Sequence, residues 1–290
     1  MQFLEKLNRK KVLTGSFMCL CLLLCSCNIG GGFNYDQYSD QNGEYRELFK
    51  ISKADMNEEY SDTAQVIDLD ECSGQVAIVE PGDYVIRGKL YGSLVVDSED
   101  GNVHIIFDGV DISAINGPAV YIKSAGKVIL TLAENSDNFL SDSTDYDDYK
   151  DSKACLYSYA NLTINGSGNL NVYSYVVDGI RTPEILKILG GHVYVLAKKS
   201  GIRGNEGVYI STDELKLECE GYGVVTVISA NGEAGDVQIK AGQINITTGK
   251  QPIKSKGDLY ITHPAEVSIY SVIPDFSVGG ECYIEEGAVN

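Results

Sequence analysis

Between Leu162 and Ser271 apolar and polar residues alternate in short bursts, and the bursts fall into register with one another. A first column reads Leu162-Thr-Ile164, Leu186-Lys-Ile188, Val208-Tyr-Ile210, Val237-Gln-Ile239 and Leu259-Tyr-Ile261. A second follows each of these: Leu170/Val172/Ser174, Val193/Val195/Ala197, Leu215/Leu217/Cys219, Ile244/Ile246/Thr248 and Val267/Ile269/Ser271. A third reads Asp178-Gly-Ile180, Ser200-Gly-Ile202, Tyr222-Gly-Val224 and Gln251-Pro-Ile253, with Gly179, Gly201 and Gly223 spaced by 22 residues. Period-2 alternation gives each burst one apolar strand face, which a single repeat cannot bury but a stack of repeats can. No helical period competes with it.

The fold class expected from this pattern is all-β: a right-handed single-stranded parallel β-helix with three short strands per coil and a repeat of about 22 residues. The glycine column marks sharp bends or close approach between coils. Val85, Leu94 and Val96, then Val103/Ile105/Phe107, Ala119/Tyr121 and Val128/Leu130/Leu132 extend the alternation toward the amino terminus, where terminal repeats are expected to be irregular.

The chain divides into three expected regions: 1–26, 27–62 and 63–290. In the first, Lys6, Arg9, Lys10 and Lys11 precede an apolar run from Val12 to Leu24 that is short for a membrane span, the layout of a signal peptide. It ends Leu24-Cys25-Ser26-Cys27, which resembles the bacterial lipobox and implies lipidation of Cys27 and an extracytoplasmic, membrane-anchored protein. Residues 27–62 are polar, acidic and rich in glycine at Gly30 to Gly32, and are expected to form a flexible tether.

Composition narrows the chemistry. Loss of residues 1–26 removes four basic residues and the acidic Glu5, taking the formal charge from −18 to −21, a surface that repels nucleic acid. Cys72, Cys155, Cys219 and Cys282 lie tens of residues apart, which excludes CxxC chemistry, and Cys219 falls in an inward column as a small apolar residue. The three histidines, His104, His192 and His263, are scattered and give little material for a triad or a histidine metal site. The segment Asp137 to Lys153 carries Asp137, Asp142, Asp145, Asp147, Asp148 and Asp151. It reads either as a solvated acidic loop projecting from the fold or as a calcium-binding one.

The segments Val103-His-Ile-Ile-Phe-Asp-Gly-Val-Asp-Ile112, Gly117-Pro-Ala-Val-Tyr-Ile122, Leu162-Thr-Ile-Asn-Gly-Ser-Gly168, Asp178-Gly-Ile-Arg181 and Ser200-Gly-Ile-Arg-Gly204 together resemble the bacterial secreted carbohydrate-binding domain family with a pectate-lyase-like β-helix. The resemblance covers about Tyr84 to Ser271. It implies binding of plant-type polysaccharides, acidic sugars included, with calcium as the cofactor held at turns. The family's Asp-Gly-Ile turn is kept only at Asp178, so Asp178, with Asp145, Asp147 and Asp148 of the acidic segment, are the candidate metal ligands.

Arg181 and Arg203 stack 22 residues apart, with Lys254 in the corresponding place further on and Val225 between. Arginine grips a carboxylate through two parallel hydrogen bonds, so this column suits uronates. Glu184 and Glu206 stack at the same spacing, and a structural ion ladder is the competing reading. Lys187, Tyr209 and Tyr260 project from the first column beside Thr163 and Gln238, a polar-aromatic face suited to sugar rings. The expected function is non-catalytic polysaccharide binding by a surface lipoprotein, against an adhesin that binds protein and a calcium-dependent lyase using Arg181 or Arg203 as base. The anchor has its own check. Cys27→Ala is expected to move the protein from the detergent to the aqueous phase in phase partitioning, and unchanged partitioning removes the lipobox reading.

Overall fold

The structure is a computed structural model, in which residues 45–290 are described. The expected signal segment, the expected lipidation site Cys27 and the first part of the expected tether lie outside the described residues. Seven strands come first: β1 (Gln65–Asp68), β2 (Gly74–Ile78), β3 (Gly82–Asp97), β4 (Asn102–Ser113), β5 (Val120–Ser124), β6 (Lys127–Leu132) and β7 (Asp137–Ser141). Then follow β8 (Ala154–Ser158), β9 (Leu162–Gly166), β10 (Asn169–Ser174), β11 (Asp178–Thr182), β12 (Ile185–Ile188), β13 (His192–Ala197), β14 (Ile202–Gly204) and β15 (Gly207–Cys219). The last are β16 (Val224–Val225), β17 (Asp236–Thr248), β18 (Ile253–Ser255), β19 (Leu259–Ile261), β20 (Ala265–Ser271), β21 (Ser277–Val278) and β22 (Cys282–Ile284).

All pairings between these strands are parallel, and the hydrogen-bonded ladder closes. It runs β4–β6–β9–β12–β15 and returns β15–β13–β10–β7–β4. By this connectivity the architecture is an all-β, closed eight-strand parallel barrel with extra strands. It replaces the expected right-handed β-helix with three short, separate strands per coil. The difference arises where two expected strands are one. In β15, Gly207 to Ile210 pair with β12 while Glu214 to Cys219 pair with β13, and a register shift around Ser211 bends the strand without ending it. β4 likewise serves β6 with its first half and β7 with its last three residues. Gly190 and Gly191 do break the chain between β12 and β13, whereas Ser211-Thr-Asp-Glu214 contains no such break.

The apolar columns read from the sequence are the observed ladder partners. Ile164, Ile188, Ile210, Ile239, Ile261 and Ile284 stack in one register and Val172, Val195, Leu217 and Ile246 in another, all fully buried. Cys219 is buried as expected, and all four described cysteines are free. The glycine column serves close approach: a Cβ on Gly201 would lie 2.9 Å from the Gly223 carbonyl oxygen, and one on Gly179 2.1 Å from Val195.

Two regions depart from expectation. The acidic segment does not simply project: Asp137 to Ser141 form β7, paired on both sides, and Asp142 is buried. The Asp142 carboxylate accepts from Ser174 Oγ at 2.6 Å, Tyr175 N at 2.8 Å and Tyr146 Oη at 2.9 Å, and burial raises its pKa to about 6. The carboxyl-terminal part of the expected tether is not free either. Residues 45–57 lie across the outward side of the ladder β9–β12–β15–β17–β19, with Asp55 fully buried against Lys127, Lys187 and Thr163.

The columns carry the fold, so their middle is where a charge costs most. Ile210→Asp is expected to lower stability by on the order of 4 kcal/mol or more, while Ile210→Val costs about 1 kcal/mol, both read from denaturant midpoints. Equal midpoints for the aspartate variant and the parent contradict the column assignment.

Candidate functional site

The ladder β5–β8–β11–β14–β16–β18 buries Ile122, Leu156, Ile180, Ile202, Val224 and Ile253. The alternation therefore turns the intervening residues outward. In register they are Tyr121, Tyr157, Arg181, Arg203, Val225 and Lys254, one per rung and about 4.8 Å apart. The column thus changes along its length from aromatic to cationic. The interruption at Val225 and the return at Lys254 follow the sequence register.

Around the cationic half opens a cleft of about 400 Å³. Arg181, Arg203 and Lys254 enter it from the strands, and Lys153, Lys198, Lys199 and Lys250 from the turns; Asp178 and Glu220 are its acidic members. A chain with 23 basic and 41 acidic residues has therefore gathered seven cations against two carboxylates in one place. Such clustering in a concave, low-dielectric wall focuses a positive potential and raises the local concentration of anions.

The cations are only partly neutralised. Arg181 Nη1 donates to Asp178 at 3.3 Å, while its Nε is buried without a hydrogen-bond partner. Arg203 Nε donates to Asn205 at 2.9 Å, and its pKa is lowered by burial and by the charge of Arg181. The Nζ atoms of Lys250 and Lys254 stand 5.1 and 4.9 Å from the centre of the Tyr222 ring, a cation–π arrangement that holds both ammonium groups without cancelling their charge. An incoming carboxylate would meet planar donors and ammonium groups already gathered, so the cost of bringing like charges together is met on folding and relieved on binding.

The aromatic half is a cluster of four tyrosines. Tyr157 lies 5.0 Å from Tyr159 and 6.2 Å from Tyr121, and Tyr149 closes on Tyr121 at 5.6 Å from the loop after β7. Gly117 makes room for it, since a Cβ there would sit 2.4 Å from the Tyr149 ring. Tyr159 remains 39% exposed and is the open edge of this cluster.

Of the residues expected from sequence, Arg181 and Arg203 meet in this cleft with Asp178. Lys187, Tyr209 and Tyr260 do not. They lie on the other ladder beneath residues 45–57, where Tyr260 and Tyr209 are 0% and 7% exposed and Lys187 is ion-paired to Asp55. The expected ladder with Glu184 and Glu206 is also absent among the described residues, because the arginines pair with Asp178 and Asn205 instead. Glu206 has its pKa raised by burial and by Glu184.

Three of the four carboxylates expected to hold calcium accept hydrogen bonds within the protein. Asp178 Oδ1 accepts from Ser200 N at 2.9 Å and Oδ2 faces Arg181; Asp145 caps the backbone of Asp147; Asp148 accepts from Asn116. Among the described residues no three acidic, histidine or cysteine side chains form a metal-holding group. The sequence reading missed Lys153, Lys198, Lys199, Lys250 and Tyr222. The available signal was lysine at the turns just before the third column, in Lys198-Lys199-Ser200 and Lys250-Gln251.

This fold has known relatives. The chain is a member of the family described as carbohydrate-binding domain-containing protein, whose match spans residues 73–273 and includes the whole cleft. It is 35% identical over 159 residues to a carbohydrate-binding domain-containing protein of Acetivibrio thermocellus. That stretch is 51% of this chain and 56% of the relative, so the chain spans about half the length of the curated relative it matches. The solved gadolinium derivative of the polysaccharide lyase-like protein from C. thermocellum superposes with a TM-score of 0.72 at 32% identity, covering 77% of this chain and 97% of that one.

Proposed function

We propose that this chain binds acidic polysaccharide, with uronate carboxylates seated in the basic cleft and sugar rings on the neighbouring tyrosines. The observation that carries this reading is the register of Arg181, Arg203 and Lys254 on one ladder within a cleft of seven cations, in a chain whose formal charge is −18. A polymer laid along the ladder meets aromatic rings at Tyr121 and Tyr159 and then cations, matching the two chemistries of a uronate unit, a ring face and a carboxylate. The protein supplies the positive charge itself, so the binding needs no calcium. The amino-terminal pattern adds a lipid anchor at Cys27 that holds this cleft at an extracytoplasmic surface.

A second reading is favoured by one feature of the same cleft. Arg203 has a lowered pKa in a desolvated place beside Arg181, which is the direction a base for uronate elimination requires. Binding without turnover is the primary reading, because the cleft holds seven cations against two carboxylates, and among the described residues no group of three acidic, histidine or cysteine side chains stands ready to hold a metal that would acidify the sugar proton.

The test is retardation in gels containing polygalacturonate. Arg181→Gln/Arg203→Gln is expected to weaken retention at least tenfold, about 1.4 kcal/mol, with the melting midpoint little changed. Retention should fall steeply with salt and be unaffected by EDTA. Undiminished retention in the double variant contradicts the cleft assignment, and new ultraviolet absorbance from unsaturated product moves the reading to the lyase.

A further inference from the structure

Residues 45–57 lie outside the family match at 73–273 and cover the outward side of β9, β12, β15, β17 and β19. They run along the rungs as an added chain. At one end Asp55 is fully buried: Lys187 Nζ donates to it at 3.0 Å, Thr163 Oγ1 at 2.6 Å, and Lys127 Nζ completes the set. These three donors come from β12, β9 and β6, consecutive members of one ladder: Lys187 and Thr163 are register partners, and Lys127 reaches the same point from two residues before Ile129, the partner of Thr163, so together they form a ready carboxylate seat. Midway, Phe49 packs edge-on against Tyr209 with centroids 5.9 Å apart, in space that exists because residue 207 is glycine; a Cβ there would lie 2.4 Å from the Phe49 ring. At the far end Tyr45 sits 6.1 Å from Tyr260 and 5.8 Å from Tyr283, rings on β19 and β22.

We propose that residues 45–57 are a built-in ligand, and that the face beneath them is a second acidic-sugar site which this segment keeps shut. The seat offers what a uronate chain needs, a two-lysine pocket for a carboxylate and aromatic walls at Tyr209, Tyr260 and Tyr283 for rings. Asp55 occupies the place of the sugar carboxylate, and Phe49 and Tyr45 the places of rings further along. Because the segment is covalently attached, its effective concentration is high, and a free polymer gains the site only by shifting an opening equilibrium. The ligand class rests on the carbohydrate-binding reading above, but the residues are separate from Arg181 and Arg203.

Trypsin reads the opening, since Arg46, Lys50 and Lys53 lie within the segment. In the full chain carrying Asp55→Asn, with the cleft disabled by Arg181→Gln/Arg203→Gln, cleavage in this segment follows the open fraction. Oligogalacturonate at ten times its dissociation constant is expected to raise that rate about tenfold, and Lys187→Gln should abolish the rise. Phe49→Ala, which leaves all charges in place, should show the same acceleration and guards against a folding defect in Asp55→Asn. A rate unchanged or slowed by the sugar overturns the proposal, as does a greater acceleration by polyaspartate, which assigns the face to acidic peptides. Because the cleft is disabled throughout, failure of the cleft reading leaves this outcome interpretable.

Discussion

The parallel register is the constraint on which the rest of this structure depends. Each rung sets like positions about 4.8 Å above one another, so whatever a residue does is repeated or answered by its neighbour above and below. Inward, this stacks aliphatic side chains into continuous columns, and a buried carboxylate such as Asp142 is kept only with hydrogen-bond donors around it. Outward, it forces Arg181 against Arg203 and sets Thr163 beside Lys187, where the side chain of Lys127 joins them on Asp55. A column of like charge opposes folding unless something offsets it. The two outward faces resolve this differently: Asp55 bridges one pair of lysines from within the chain, whereas the cleft retains an excess of positive charge open to solvent.

Net charge is therefore a poor guide to what this protein attracts. The formal charge of −18 suggests repulsion of polyanions, and that holds at distances where the whole molecule acts as one charge. At physiological ionic strength screening sets in within about 8 Å, and a ligand at the surface responds to the cleft alone. Seven cations in one concavity, with Arg181 Nε buried and unpartnered, outweigh the distant carboxylates there. The acidic remainder discourages binding elsewhere, which sharpens where a polyanion can settle.

The columns and their partners were legible in the sequence because a two-residue period is strict and a misplacement by one residue would turn every aliphatic side chain outward. The continuity of β15 through Ser211 to Glu214 was not, since bends without glycine or proline carry little local signal. Arg181, Arg203 and Lys254 were legible as a column for the same reason as Ile180, Ile202 and Ile253. The lysines at the turns were not, because turn residues follow no period. Lys187, Tyr209 and Tyr260 were correctly read as one outward column, yet outward does not mean exposed: the cover comes from residues 45–57, whose polar sequence has no periodicity to announce that it docks.

The central claim, that the ladder bearing Arg181 and Arg203 is the surface an acidic glycan meets, is tested most directly by a hydrogen-exchange footprint of the full chain with and without oligogalacturonate. The account predicts slowed exchange in β11, β14 and β18 and in the turns carrying Lys198, Lys199 and Lys250, with β7, β10 and β13 unchanged. Protection confined to that second group, or spread evenly over the molecule, would contradict it.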